Sequence, residues 1–133
     1  MAPTRCPALK VDHSDYRQLL NEMRQIPKIK SIFIRSGIRY DYLIADNDDR
    51  FFKDLVRYHV SGQLKVAPEH CSAAVLDKMG KPHIDAYVEF SKKYFRLTES
   101  VGKEQYLVPY LMSSHPGSSL NEAVELALFL KKR

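Results

Sequence analysis

The segment Tyr106–Gly117, YLVPYLMSSHPG, is the most informative part of this 133-residue chain, because an apolar run ends there in small polar residues, a histidine and a Pro-Gly break. A buried parallel strand that delivers polar groups into a site has this pattern. The pattern occurs twice earlier, in Ser31–Asp41 (SIFIRSGIRYD) and in Gln63–His70 (QLKVAPEH). We therefore expect three strands whose polar ends share one site.

Segments with the helical spacing of apolar residues separate these strands. Capping and breaking residues indicate that the helices begin near Ser14, Phe52, Ser72, Ile84 and Leu120. The predicted order of elements is α-β-α-β-α-α-β-α. Residues 1–13 lack this spacing, and we expect an irregular N-terminal arm there.

Helices between strands predict a parallel sheet, because tight hairpins cannot join parallel strands. An open doubly wound sheet and part of a (β/α) barrel both fit this pattern. In the first two strands, Arg35 and Lys65 fall on the face opposite the aliphatic residues. A face with these charges is costly to bury under helices, whereas a barrel tolerates them near its mouth. We predict an α/β fold, a partial TIM-like barrel of about three parallel strands that forms one segment, 1–133.

The composition limits the classes of function. The chain is 44% hydrophobic and 28% charged, which is typical of a single globular unit. It has no apolar run of the ~20 residues that a membrane helix needs and no apolar leader, so we expect a cytoplasmic protein without membrane contact. The net charge of +5 is spread over every segment, which makes nucleic acid an unlikely partner.

The cysteines and the last helix add two expectations. Cys6 and Cys71 lie far apart without a CxxC pair, which argues against a disulfide framework and a zinc finger. The last helix carries apolar residues beyond a single stripe, at Leu126, Phe129 and Leu130. We expect it to contact more than this chain supplies, and the chain to be part of a longer protein.

Three long blocks resemble a known family. They are IFIRSGIRYDYLIAD from Ile32, HVSGQLKVAPEHCSAAVLDKMGKP from His59 and GKEQYLVPYLMSSHPGSSLNEAVELALFLK from Gly102. In sequence and order they closely resemble the central part of the YgiQ-type radical SAM proteins, over nearly the whole chain. The resemblance implies that the chain corresponds to roughly the third, fourth and fifth βα units of a radical SAM barrel.

The resemblance also implies cofactors for the complete protein. A CxxxCxxC motif would hold a 4Fe-4S cluster, and the cluster would bind S-adenosylmethionine and cleave it to a 5′-deoxyadenosyl radical. This chain contains no CxxxCxxC. We therefore expect no cofactor on this chain alone, no activity from it alone, and the remainder of the parent barrel as its partner. The substrate stays unknown.

Six residues at the predicted strand ends are candidates for binding the cofactor. An arginine can bind a carboxylate with two hydrogen bonds, a glutamate can accept ribose hydroxyls, and a helix N-terminus favours anions. No residue is assigned a catalytic role, and no metal ligand is assigned, since His13, His59 and His83 have no spacing that gathers them. The candidates are Arg35, Ser36, Lys65, Glu69, Ser114 and His115.

Two other hypotheses stay open on the sequence. The basic charge is compatible with a non-enzymatic module that binds a nucleotide or RNA. A segment of an open barrel also leaves edge strands uncovered, so the chain could self-associate through them.

Overall fold

The structure, a computed structural model, describes residues 5–132. Two strands, six α-helices and one π-helical turn make up this part of the chain. The strands are β1 (Gln63–Glu69) and β2 (Tyr106–Leu111). The helices are α1 (Ser14–Gln25), α2 (Tyr40–Ala45), α3 (Arg50–Asp54), α4 (Ala73–Met79), α5 (Ile84–Ser100) and α6 (Leu120–Lys131), and the π-helical turn spans Leu55–His59.

The two strands pair in parallel, as the sequence predicts for strands separated by helices. Gln63 lies opposite Tyr106 and Lys65 lies opposite Val108. The sheet in residues 5–132 is open and has two strands, where the sequence predicted about three. The fold class is therefore α/β, and a partial barrel is not confirmed.

The prediction of a strand at Ser31–Arg35 was wrong, because this segment forms no regular β-ladder. The segment lies beside β1 and makes single backbone contacts. Ile34 N–H donates to His59 O at 2.8 Å, and Lys65 N–H donates to Arg35 O at 3.1 Å. The ring of His59 donates from Nδ1 to Ile32 O at 2.9 Å. The Ile32 carbonyl therefore accepts a hydrogen bond from the His59 side chain, where a carbonyl in a regular ladder would accept one from the backbone of a neighbouring strand.

The predicted helix from Phe52 to His59 is present, and its second half is π-helical. Helix α3 begins at Arg50, and its last turn widens into the π-helical turn. Helix α2 lies between the first predicted strand and the helix predicted near Phe52, where the sequence predicted no helix. Its first and fourth residues, Tyr40 and Leu43, are buried, so tertiary packing explains a short helix that the acidic flanking sequence conceals.

The core lies between the sheet and the helices that cover one of its faces. Leu64 and Val66 of β1 are buried against an aromatic cluster in which the rings of Phe52 and Phe90 stack with centroids 5.4 Å apart. The buried side chain of Gln105 ties β2 to the helical layer, since its Nε2 donates to Val56 O and Val60 O at 2.9 and 3.2 Å. The other face of the sheet is open.

Exposed apolar side chains lie on the open face and on α6. The largest exposed fractions are those of Leu120 and Tyr110, at 79% and 60%. No helix among residues 5–132 is both long and apolar enough to span a bilayer. The predicted arm, 1–13, lies partly outside the described residues, and residues 5–13 contain no helix or strand.

Candidate functional site

Backbone strain marks the carboxyl ends of both strands. Three non-glycine residues of the described chain have a positive φ, and two of them lie at these ends: Glu69 has φ 68° and Ser114 has φ 61°. This left-handed conformation costs a residue with a Cβ about 1–2 kcal/mol. Strain of this kind persists where the surrounding structure imposes it and clusters at functional sites.

A β-bulge produces the strained position at the end of β1. Val66 lies opposite Pro109, and Glu69 lies opposite Leu111, so β1 holds one residue more than β2 between these pairs. Pro68 lies inside the bulge, where its lack of an N–H has no cost. Beyond the bulge the ladder resumes, because Met112 N–H donates to Glu69 O at 2.7 Å. The bulge changes the direction in which the Glu69 side chain leaves the strand.

Only one of the two carboxylate oxygens of Glu69 has a partner. Its Oε1 lies 3.2 Å from Nζ of Lys81, which also lies 3.5 Å from Ala67 O. Its Oε2 is buried and has no hydrogen-bond partner. A buried carboxylate oxygen without a donor costs free energy, so this atom is an acceptor available to a ligand hydroxyl or amine.

The hydroxyl of Tyr40 is a second buried polar group without a partner. The residue is 4% exposed. Burial raises its pKa, and the carboxylates of Asp41 and Glu69 raise it further. The phenol therefore stays protonated and can donate. A small cavity of about 170 Å³ lies beside it, and Val66, Ala67 and Lys81 also line this cavity.

His70 follows Glu69 and is fully buried. Its Nδ1 accepts from the backbone N–H of Ser72 at 3.0 Å, immediately before α4 begins. This acceptor role places the ring proton on Nε2, which is buried without a partner. Burial lowers the pKa of His70, while Glu125 and Glu122 of α6 raise it. The imidazole therefore accepts a backbone hydrogen bond just before α4 and lies near the acidic residues of α6.

The turn after β2 lies between α4 and α6. Ser114 is exposed, and Nδ1 of His115 lies 2.9 Å from Pro116 O. Gly117 has φ 96°, and a Cβ at this position would lie 2.4 Å from Cδ of Lys78. Ser119 caps α6 in a capping box with Glu122. The Pro-Gly break thus brings the carboxyl end of β2 against the end of α4.

Two of the predicted site residues lie elsewhere, toward the amino ends of the strands. Arg35 and Lys65 line a cavity of about 510 Å³ together with Gln63 and Tyr106. Lys65 precedes Glu69 by four residues, which is roughly 13 Å along an extended strand. Ser36 is exposed at the bend that follows Arg35.

The structure therefore separates five of the six predicted residues into two groups, and Ser36 belongs to neither. Glu69, Ser114 and His115 belong to the carboxyl ends of the strands, and Arg35 and Lys65 belong to the cavity at the amino ends. The sequence predicted all six on one rim. It did not point to Lys81, which follows a glycine turn, or to Tyr40, which precedes an acidic loop. Neither residue belongs to a periodic pattern of apolar residues.

Several polar residues outside the candidate site have partners within the fold. His13 Nδ1 lies 2.7 Å from Asp46 Oδ2, and His83 Nε2 lies 2.8 Å from Asp77 Oδ1. Arg39 binds the carboxylate of Asp41 through two hydrogen bonds of 2.9 and 2.6 Å. In residues 5–132, no three His, Cys, Asp or Glu side chains gather as metal ligands would.

Comparison with known proteins finds curated relatives named UPF0313 proteins. One from Clostridium perfringens (strain ATCC 13124) is 57% identical over 131 residues, which cover 98% of this chain and 20% of the relative. One from Clostridium botulinum (strain Okra) is 56% identical over 130 residues, with the same coverage of each chain. This chain thus spans about a fifth of the length of the curated relatives that it matches. No protein-family model and no solved structure matches it.

Proposed function

We propose that this chain is one part of a YgiQ-type radical SAM enzyme and that the carboxyl ends of β1 and β2 form part of the wall that binds S-adenosylmethionine. Three observations support the proposal. The sequence blocks resemble that family, and the curated relatives are far longer than this chain. Strain and an unpartnered buried carboxylate oxygen also occur at the strand ends where parallel α/β folds place their sites.

The single observation that carries the proposal is the geometry of Glu69. One carboxylate oxygen is held by Lys81, and the other is buried with no donor. An acceptor of this kind fits a ribose hydroxyl, which donates a hydrogen bond to a charged group at a gain of roughly 1.5–3 kcal/mol. Lys81 fixes the rotamer of Glu69, so the acceptor is preorganised.

Ser114 and His115 would contribute to the same wall from β2. Both lie between the end of this strand and the capped start of α6. Ser114 also has a positive φ, a form of backbone strain that clusters at functional sites. This placement suits contacts to the cofactor, and it gives no residue a role in proton or electron transfer.

The iron-sulfur cluster does not fit the residues of this chain. The sequence holds two cysteines, whereas a CxxxCxxC site uses three closely spaced thiolates. Burial raises the pKa of Cys71, which favours the thiol over the thiolate. In the proposed enzyme the rest of the parent protein would supply the cluster, whose chemistry is the reductive cleavage of S-adenosylmethionine.

A chimera tests the proposal. This chain would replace the matching 131 residues of the Clostridium perfringens relative. After anaerobic reconstitution with iron, sulfide and reductant, we expect the chimera to convert S-adenosylmethionine to 5′-deoxyadenosine. Glu69→Gln in the chimera should weaken S-adenosylmethionine binding about tenfold, because an amide accepts a weaker hydrogen bond than a carboxylate.

The matched control is Glu99→Gln, which changes an exposed glutamate of α5. It should leave binding and turnover unchanged. Absence of 5′-deoxyadenosine from both the chimera and the intact relative would overturn the proposed activity. Equal binding by Glu69→Gln and the unsubstituted chimera would instead overturn the assignment of the site.

A further inference from the structure

The open face of the sheet carries a cavity that the proposed cofactor site does not use. Its volume is about 510 Å³, and it lies at the amino ends of β1 and β2. Two cationic side chains and one aromatic ring dominate its wall. The lining residues are Arg35, Ser61, Gly62, Gln63, Lys65 and Tyr106.

The two cations are held side by side by the backbone. Lys65 N–H donates to Arg35 O at 3.1 Å, which joins the segment before α2 to β1. Ile34 and Leu64 pack into the core. Because side chains alternate along extended backbone, Arg35 and Lys65 both project onto the open face. Both are exposed.

Neither cation has an anionic partner in the described part of the chain. The ion pairs formed by residues 5–132 include neither Arg35 nor Lys65. Like charges that lie next to each other on neighbouring strands destabilise a sheet. Lys81 and Arg39, by contrast, each pair with an acidic side chain.

We propose that Arg35 and Lys65 form a binding site for a phosphate monoester. A phosphate monoester carries a charge of about −1.5 to −2 at neutral pH, which balances two cations, whereas a carboxylate balances one. The guanidinium of Arg35 can bind two phosphate oxygens at once, and the ammonium of Lys65 can bind the third. The side-chain amide of Gln63 adds a neutral donor.

The ring of Tyr106 favours a phosphate ester that carries an aromatic group. This side chain is 54% exposed at the edge of the cavity. Its hydroxyl donates to Glu104, which raises the pKa of Tyr106 and holds the ring in place. A fixed, exposed ring beside cations is the arrangement on which nucleobases stack. A nucleoside monophosphate therefore fits the site better than inorganic phosphate.

This inference is independent of the proposed function. The cavity lies roughly 13 Å along the strand from Glu69, and none of its lining residues belongs to the carboxyl-end site. Binding of a phosphate here requires neither an iron-sulfur cluster nor S-adenosylmethionine. Success or failure of one proposal leaves the other unaffected.

The test is an NMR titration of this chain with inorganic phosphate, AMP, adenosine and acetate at low ionic strength. We expect AMP to bind more tightly than phosphate, and we expect acetate and adenosine to bind at least tenfold more weakly than AMP. Chemical-shift changes should concentrate on the amides of Gly62, Gln63 and Lys65. Tyr106→Ala should reduce AMP affinity to that of phosphate.

Arg35→Gln and Lys65→Gln should each weaken phosphate binding about tenfold. Arg96→Gln and Lys92→Gln, which remove exposed cations of α5, are the matched controls and should change nothing. An equal loss in the controls, or shift changes scattered over all basic surfaces, means non-specific attraction and overturns the proposal. Tighter binding of acetate than of phosphate also overturns it. If a variant fails to fold, the proposal is tested by the unsubstituted chain alone, through the relative affinities of the four ligands and the positions of the chemical-shift changes.

Discussion

Nζ of Lys81 lies 3.2 Å from Oε1 of Glu69, and the second oxygen of the same carboxylate is buried without a donor. Lys81 follows the glycine that ends α4, whereas Glu69 follows the bulge that ends β1. The ion pair therefore joins the end of a helix to the end of a strand. It holds a strained residue in place and leaves one acceptor free.

Loss of Lys81 should destabilise the chain through the carboxylate that it leaves behind. Lys81→Gln is expected to lower the free energy of unfolding by about 1–2 kcal/mol, less than for a fully buried pair because Lys81 is partly exposed. Urea denaturation measures this change. In Lys81→Gln/Glu69→Gln the loss should be smaller than the sum of the single losses. Additive losses would show that the two side chains do not interact.

Ser114→Gly should stabilise the chain. Ser114 has φ 61°, and a glycine adopts this conformation without the penalty that a Cβ imposes. Glycine also has a greater conformational entropy in the unfolded chain, which offsets part of this stabilisation. The free energy of unfolding should therefore increase by about 0.5–1 kcal/mol. Thermal and urea denaturation measure it. Ser113→Gly, at a neighbouring residue without positive φ, is the control and should destabilise the chain slightly.

His70 should make the chain sensitive to acid. Burial lowers the pKa of His70 below its ordinary value of 6.5. Below pH 6.5 the unfolded chain therefore binds more protons at this residue than the folded chain, so stability decreases as the pH falls. The slope from one such histidine is at most about 1.4 kcal/mol per pH unit. Urea denaturation at several pH values between 7.5 and 5 measures the slope.

His70→Asn separates this effect from other titrating groups. The amide oxygen of asparagine can accept the Ser72 N–H in place of Nδ1 and does not titrate. We expect a shallower decrease of stability below pH 6.5 in this variant. His83→Asn, at an exposed histidine, should keep the slope associated with His70. An unchanged slope in His70→Asn would contradict the prediction.

Ser119→Ala should loosen the start of α6. The Ser119 side chain accepts from Asn121 N–H, and the Glu122 carboxylate accepts from Ser119 N–H at 2.7 Å. Loss of such a cap costs about 1 kcal/mol. The hydroxyl and the backbone N–H of Ser119 both donate to the Glu122 carboxylate and lower its pKa, so the carboxylate's share of the stability is present above its unfolded pKa and is lost as the pH falls through its folded pKa. Circular dichroism and urea denaturation measure the change, with Ser118→Ala as the control.

Local sequence determined the elements that short-range interactions stabilise. The apolar run from Tyr106 ends where Pro116-Gly117 cannot continue a strand, and Gly117 adopts the positive φ that the turn requires. Ser119 and Glu122 specify the start of α6 within four residues. Gly80 ends α4 in the left-handed conformation. Each of these features depends on atoms that are close in sequence, so pattern reasoning recovers it.

Only the tertiary structure decided how distant groups pair. The carbonyl of Ile32 accepts from the ring of His59, and the segment around it forms no regular ladder. The bulge at Pro68 turned Glu69 toward Lys81, and a backbone hydrogen bond joined Lys65 to Arg35 toward the opposite end of β1. Long-range hydrogen bonds and strand register have no local periodicity. Their outcome depends on which contacts the packed helices permit, and that information is spread over the whole chain.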